Sequence, residues 1–441
     1  MPVPENPAQP DGRKIPIHLA VIPARKSTAN KAPLFMFAGG PGQGAIDSFA
    51  PLLNRFHQIR QQRDIVLIDQ RGTGQSNPLN CPAQHSQVSE PLAPEQLANY
   101  VRDCLQQLKG DPRFYTTSIA ISDFEQIRQS LGYDKIHILG VSYGTRVAQT
   151  YLKYHPDSIS TVILDGVLPT ELVVGSEHAT NLQQTLNDLF KRCERSNDCN
   201  KRFPRLQAKL QQLVQKTTEA PPTLTVKHPV SGKTTEIQVS KDVLATAIRL
   251  LSYAPETQAL LPLLISEAAD NNDLGQVATS ALMIEGQLQG AISRGMEWSV
   301  ICSEDYAHAL RQPKSPAGDD PALLLGDVMT QISEQVCPNW RLGSSPRDFH
   351  KAFSSSTPVL LLSGEYDPVT PPKYGEQALQ QYANGRHIVA KGQGHSVIQR
   401  GCMPAVINQF LNDESNKNLD MSCLQPMGNT PFFTTLMGAE P

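Results

Sequence analysis

The chain lacks long apolar runs, a surplus of either charge, metal-binding cysteine spacing, internal repeats and low-complexity blocks. No stretch approaches the ~18 to 20 apolar residues of a membrane-spanning helix, so no membrane partner is expected. The formal charge of −3 leaves no basic footprint for nucleic acid. None of the cysteines forms C-x-x-C and no histidine cluster accompanies them, so no zinc site is read there; no metal or organic cofactor is expected. The N-terminus, Met1-Pro2-Val3-Pro4-Glu5-Asn6-Pro7, has no basic start followed by an apolar run, and no signal peptide is read there.

What is present is an ordinary globular composition with 35 prolines, which points to many turns and long loops. At roughly 150 residues per domain, 441 residues allow one to three domains, ample to bury a core unaided. The cysteines are eight: Cys81, Cys104, Cys193, Cys199, Cys302, Cys337, Cys402 and Cys423. They fall as four neighbours in sequence order. Two readings stay open: free buried thiols in a cytosolic enzyme, or four disulfides in a periplasmic or secreted protein whose signal has been removed.

The first 169 residues alternate strands and helices. Strand-length apolar runs occupy Ile15–Pro23, Pro33–Ala38, Asp64–Asp69, Ile136–Val141 and Thr161–Leu164. Helical spacing covers Ser122–Leu131, with Ser122 or Asp123 as N-cap, and Tyr143–Tyr154. From about Thr170 to Pro346 the pattern is mostly helical, apart from a β-like stretch at Leu224–Val239. Strands resume at Pro358–Ser363 and Arg386–Ala390, and Ala405–Leu411 reads as a last helix. The expected fold is α/β, with a mostly parallel central sheet and a large, mainly helical cap inserted before the acid-bearing strand. The expected divisions are core 1–169, cap 170–346, and core with tail 347–441.

Gly140-Val141-Ser142-Tyr143-Gly144 fits G-x-S-x-G between a strand and a helix, the setting of a nucleophile elbow. Its glycines allow a sharp turn that lifts the Ser142 hydroxyl above the sheet edge. Upstream, Gly39-Gly40-Pro41-Gly42 follows a strand, and the N–H groups of Gly40 and Tyr143 are the candidate oxyanion donors. The same loop also matches G-x-G-x-x-A, with Asp69 ending the next strand, the outline of a dinucleotide site. Pro41 has no N–H to offer a pyrophosphate, and Asp69-Gln70-Arg71-Gly72 runs into another glycine turn, which argues against that reading.

A serine nucleophile needs a base and an orienting carboxylate. Asp367 and His395 each follow a strand, in the required order after Ser142. Asp165 and Glu365 are rival acids; His387 begins a strand and reads as a surface or packing residue. Activity is then expected to rise through the histidine titration, near pH ~6.5 for an unperturbed imidazole.

Together these motifs resemble the proline iminopeptidase and tripeptidyl aminopeptidase group of α/β-hydrolase serine peptidases. The matching stretches are Gly39–Gly42, Asp69–Ser76, Gly140–Thr145, Leu164–Val167, Gly364–Pro371 and Gly392–His395. Where proline iminopeptidases usually carry His before Gly-Gly-Pro-Gly, this chain has Ala38, which leans the resemblance toward the tripeptidyl-aminopeptidase-like branch. That branch implies a larger cap, a C-terminal cysteine pair matching Cys402 and Cys423, and cap acids that bind a substrate α-ammonium group. Glu297, Glu304 and Asp305, beside Trp298 and Cys302, are the candidates; Glu304 comes first, because a bridge from Cys302 to Cys337 would hold it. A solvated acidic helix end is the competing reading. The expected substrate is a peptide or small ester, with a monomer sufficient for the chemistry. The alternatives are a carboxylesterase with the same triad and a non-catalytic hydrolase-fold binding protein.

Overall fold

The computed structural model describes residues 1–26, 31–82, 94–229, 231–311, 323–326, 328–435 and 437–438. Its strands are β1 (Pro2–Pro4), β2 (Lys14–Pro16), β3 (Leu19–Ile22), β4 (Leu34–Phe37), β5 (Ile65–Ile68), β6 (Ile136–Val141), β7 (Ile159–Asp165), β8 (Thr223–Lys227), β9 (Thr234–Gln238), β10 (Val359–Gly364) and β11 (Gly385–Ala390). Seven of them form one sheet in the order β11-β10-β7-β6-β4-β5-β3. All neighbours are parallel except β3, which pairs antiparallel with β5 at the edge.

Both faces of this sheet are covered, and the strand sequences say why. On β4, Phe35 and Phe37 join one buried cluster while Leu34 and Met36 join another. Val66 and Ile68 on β5, and Val359 and Leu361 on β10, repeat the first face; Ile65, Leu67, Leu360 and Leu362 repeat the second. A side-chain period of two on a doubly covered sheet yields the continuous apolar runs seen in the sequence.

Two local expectations are corrected. The single strand Ile15–Pro23 is split: β2 pairs with β1 in a separate ribbon, and only β3 enters the main sheet. Between them the His18 N–H leaves the ladder and donates to Ser76 Oγ at 2.8 Å. The helix expected at Ser122 begins five residues earlier, running Thr117–Ser130 with Thr116 at the N-cap. Asp123 is therefore mid-helix, where it pairs with the buried Arg71 guanidinium instead of capping.

Between β7 and β10 the described chain is helical, apart from the β8–β9 hairpin. Much of it packs around its own apolar cluster, which includes Leu182, Leu186, Leu244, Ile248, Leu264 and Leu282. The cysteines form four disulfides, Cys81–Cys104, Cys193–Cys199, Cys302–Cys337 and Cys402–Cys423, which decides between the two cysteine readings and fits an oxidising environment. Among the described residues no helix is long and apolar enough to cross a membrane.

Candidate active site

The turn after β6 is tight. Ser142 has φ 56° and ψ −123°, a conformation that costs a non-glycine residue about 1–3 kcal/mol. Its N–H donates to the Asp165 carbonyl at 2.8 Å, and the Tyr143–Tyr154 helix starts at the next residue. A Cβ on Gly140 would collide with the Gly144 carbonyl, and one on Gly144 with the Phe37 carbonyl. Both glycines are therefore dictated by close backbone approach, as the motif implies.

The loop after β4 lies against this turn. A Cβ on Gly39 would stand 3.1 Å from the Ser142 Cβ. Gly40, at φ +106°, and Tyr143 offer N–H groups that donate to no backbone carbonyl among the described residues. From the other side, the Ser293 N–H donates to the Gly42 carbonyl at 2.9 Å, which ties the helical segment to this loop.

On the far strands, Asp367 and His395 meet. His395 Nδ1 lies 2.8 Å from Asp367 Oδ2. Asp367 Oδ1 accepts the N–H groups of Val369 and Thr370, at 2.8 and 2.9 Å, and Oδ2 also accepts the Thr370 hydroxyl at 2.8 Å. Burial alone would raise this carboxyl; His395 and these donors bring it below its ordinary range. Burial likewise pulls the imidazole down, but the Asp367 charge and hydrogen bond outweigh it and hold His395 above the usual histidine value.

The rival acids have other partners. Asp165 accepts the Ser396 hydroxyl and the N–H groups of Val397 and Ile398, so it anchors the loop just past His395. Burial, offset by those bonds, pushes it up to about 6. Glu365 accepts the Gly392 N–H at 2.8 Å, at the start of the same loop. His387 faces Ser363 at 2.9 Å, a packing role as expected.

Residues 32–239 match the family described as alpha/beta hydrolase fold, and residues 314–423 match the family described as TAP-like protein. The chain has the α/β-hydrolase fold. Similar proteins include the putative hydrolase YuaR of Escherichia coli K12, 24% identical over 92% of this chain and 83% of that protein. The serine protease Hip1 of Mycobacterium tuberculosis H37Rv is 22% identical over 93% of this chain and 84% of its own length. The tripeptidyl aminopeptidase of Streptomyces lividans is 25% identical over 38% of this chain and 34% of its length. Relatives with peptidase names bear out the family resemblance drawn from the motifs.

In this α/β hydrolase the dinucleotide outline has a structural explanation. Asp69 Oδ1 accepts the Ile46 N–H at 3.0 Å and Oδ2 accepts the Gln75 N–H at 3.1 Å. The carboxylate that would read a ribose is spent on bracing the two glycine turns.

The three candidate cap acids do not act together. Asp305 holds the Arg146 guanidinium through both oxygens at 2.9 Å, a pair buried on both sides. Glu297 pairs with Arg294 one turn away. Glu304 is buried, accepts the Thr117 N–H at 2.5 Å and the Thr117 hydroxyl at 2.9 Å, and is pushed up to about 8 by burial. The Thr117 hydroxyl in turn lies 2.6 Å from the Tyr143 hydroxyl, so Glu304 is linked to the elbow helix.

Two contacts of the imidazole were not singled out from the sequence. Thr370 Oγ1 lies 3.2 Å from His395 Nδ1, and a threonine three residues after the acid is the signal that was available. The Tyr253 carbonyl accepts the backbone N–H of His395 at 2.7 Å, and its ring sits edge-on to the imidazole at 5.2 Å. Nothing in the local sequence marks it, because it arrives from the inserted segment 142 positions before His395.

Proposed function

We propose that this hydrolase is a serine aminopeptidase acting on peptides through an acyl-enzyme. Ser142 attacks the carbonyl, and His395 takes its proton and returns it to the leaving amine. Asp367 fixes the imidazole tautomer and stabilises its charged form. The N–H groups of Gly40 and Tyr143 receive the oxyanion. The observation that carries this reading is the buried 2.8 Å bond between Asp367 and the imidazole, in a protein whose serine sits on a strained strand-to-helix turn.

Residues 170–346 form the cap that selects substrate, between core segments 1–169 and 347–441. Glu304 is the cap acid with no cationic partner within 4 Å among the described residues, and it is the partner for a substrate α-ammonium. An arriving ammonium favours the ionised carboxylate and drives off its proton. Four disulfides support a periplasmic or secreted location.

The test compares free aminoacyl arylamides, their N-acetylated forms and a short-chain aryl ester. Free amines should be cleaved at least about 10-fold faster than blocked ones, the scale of one charged hydrogen bond. Equal cleavage of both removes the aminopeptidase reading, and preference for the ester replaces it with a carboxylesterase.

The pH profile is a second expectation. His395 must be neutral to act as base, and its titration is raised by Asp367. Activity should therefore rise with pH through a midpoint above the ~6.5 of a free imidazole, and be lost as pH falls below it. A midpoint at or below 6.5 in kcat/KM would contradict the Asp367–His395 coupling.

A further inference from the structure

Arg249 stands one side chain from the imidazole, across Tyr253, and among the described residues it meets no counter-ion. It lies on the Lys241–Leu251 helix of the inserted segment. Its Nη2 lies 3.0 Å from the Tyr253 hydroxyl and 3.2 Å from His178 Nδ1. The Nε is buried and meets no acceptor, and among the described residues no carboxylate comes within 4 Å of the guanidinium. Burial, followed by the Arg249 charge, holds His178 well below its ordinary value, so its Nδ1 is an acceptor and supplies no compensating charge. The other contact, Tyr253, is the residue whose ring meets His395 edge-on. The guanidinium is therefore one side chain away from the imidazole.

A buried or half-buried cation with an orphaned donor is costly unless an anion meets it. Arginine offers several N–H groups in a planar fork that matches a carboxylate. The direction of the reaction then limits which carboxylate. His395 delivers its proton to the departing amine, so groups on the His395 side flank the leaving fragment and not the acyl fragment. Glu304, linked through Thr117 to Tyr143, belongs to the opposite, elbow side.

We propose that Arg249 binds a carboxylate on the leaving fragment of the substrate, which makes short peptides with an anionic group close after the scissile bond the favoured class. This rests on the serine peptidase reading above. Two sources share the chemistry: the C-terminal carboxylate of a leaving fragment one or two residues long, or an acidic side chain on its first residue. With Glu304 at the ammonium, the site would read both ends of a short zwitterionic peptide.

The experiment measures kcat/KM on three matched short peptides: one with a free C-terminal carboxylate, its C-terminal amide, and an amide carrying Asp or Glu as first leaving residue. Labelling of Ser142 by a fluorophosphonate runs in parallel. The wild-type protein should prefer the carboxylate peptide over its neutral amide by about 10- to 100-fold, mostly in KM, the range of a charge-assisted pair. Arg249→Met should bring that ratio to about one, and Arg249→Lys should keep part of it. Preference restricted to the free C-terminus identifies the terminal carboxylate as source; preference restored by Asp or Glu in the amide identifies the side chain. Labelling with a wild-type ratio near one, or a ratio that survives in Arg249→Met, overturns the carboxylate site alone. Absence of labelling overturns the hydrolase reading and this inference with it. The wild-type substrate series decides the matter even where a variant fails to fold.

Discussion

Ser142→Ala is expected to lower kcat by about 10⁶-fold and to remove labelling by a fluorophosphonate. The size of the loss follows from the proposed mechanism, in which Ser142, His395 and Asp367 work as a unit. Without the hydroxyl, His395 has no proton to accept, and the Asp367 contact that raises its basicity serves nothing. What remains is substrate binding and the Gly40 and Tyr143 donors, which leave roughly 10³ to 10⁴-fold over the reaction in water. The fold should be intact, because alanine keeps the Cβ that packs beside Gly39 and removes only one oxygen. Its positive φ is shared by serine and alanine alike, so the backbone cost of about 1–3 kcal/mol is unchanged. Thermal unfolding should therefore match the wild-type protein, which separates loss of chemistry from loss of structure. A variant that still forms an acyl-enzyme would remove Ser142 from its proposed role.

Much of this site was legible because its parts are local. The elbow is five consecutive residues, and its two glycines are required by contacts within one turn and one neighbouring strand. The loop Gly39–Gly42 follows its strand directly, and Asp367 and His395 stand just past β10 and β11, which pair side by side. Period-two burial made the central strands readable, since β4, β5 and β10 are covered on both faces. What escaped was partnership across long separations. Arg146 and Asp305 are 159 residues apart, and that pairing takes Asp305 away from the substrate role that its neighbours in sequence suggested. Glu304, adjacent in sequence, finds Thr117 instead, 187 residues away. An acid-rich stretch says that carboxylates are present, not which of them a guanidinium will claim. The helix start at Thr117 escapes the sequence for a related reason: Thr117 and Ser118 are weak helix formers, but the first turn is held by a Glu304 carboxyl oxygen that accepts the Thr117 N–H. Asp165 shows the converse. It ends a strand beside the nucleophile, as a catalytic acid would, yet its oxygens are spent on Ser396, Val397 and Ile398. Its task is to hold the loop that carries the imidazole.

The largest stability effect is expected away from the chemistry, at Arg71. This guanidinium is wholly buried and meets Asp123 through two bonds, at 2.6 and 2.7 Å. Its remaining N–H groups donate to the carbonyls of Glu5 and Phe114 at 2.8 Å and of Pro4 at 3.2 Å. One side chain thus joins the N-terminal ribbon, the Thr117–Ser130 helix and the turn that follows β5. Asp123→Ala removes the only negative partner among the described residues and leaves the cation in a dry site, at a cost of about 3–5 kcal/mol. Urea unfolding with disulfides intact should show that loss as a lower midpoint at unchanged slope. The double variant Arg71→Met with Asp123→Leu deletes both charges and should recover part of it, because the desolvation of two ions disappears as well. Recovery should stay incomplete, since the carbonyls of Pro4, Glu5 and Phe114 lose their donor at about 1–3 kcal/mol for each one left buried. The consequence reaches the catalytic centre by a short route. Gln70, beside Arg71, donates to the Tyr143 hydroxyl at 3.1 Å, and Asp69 braces the loop after β4. Asp123→Ala should therefore lower kcat as well as stability, while the double variant restores kcat in proportion to the stability it regains. A single variant within about 1 kcal/mol of the wild-type protein would show that the pair is dispensable and that the turn is held by its backbone bonds alone.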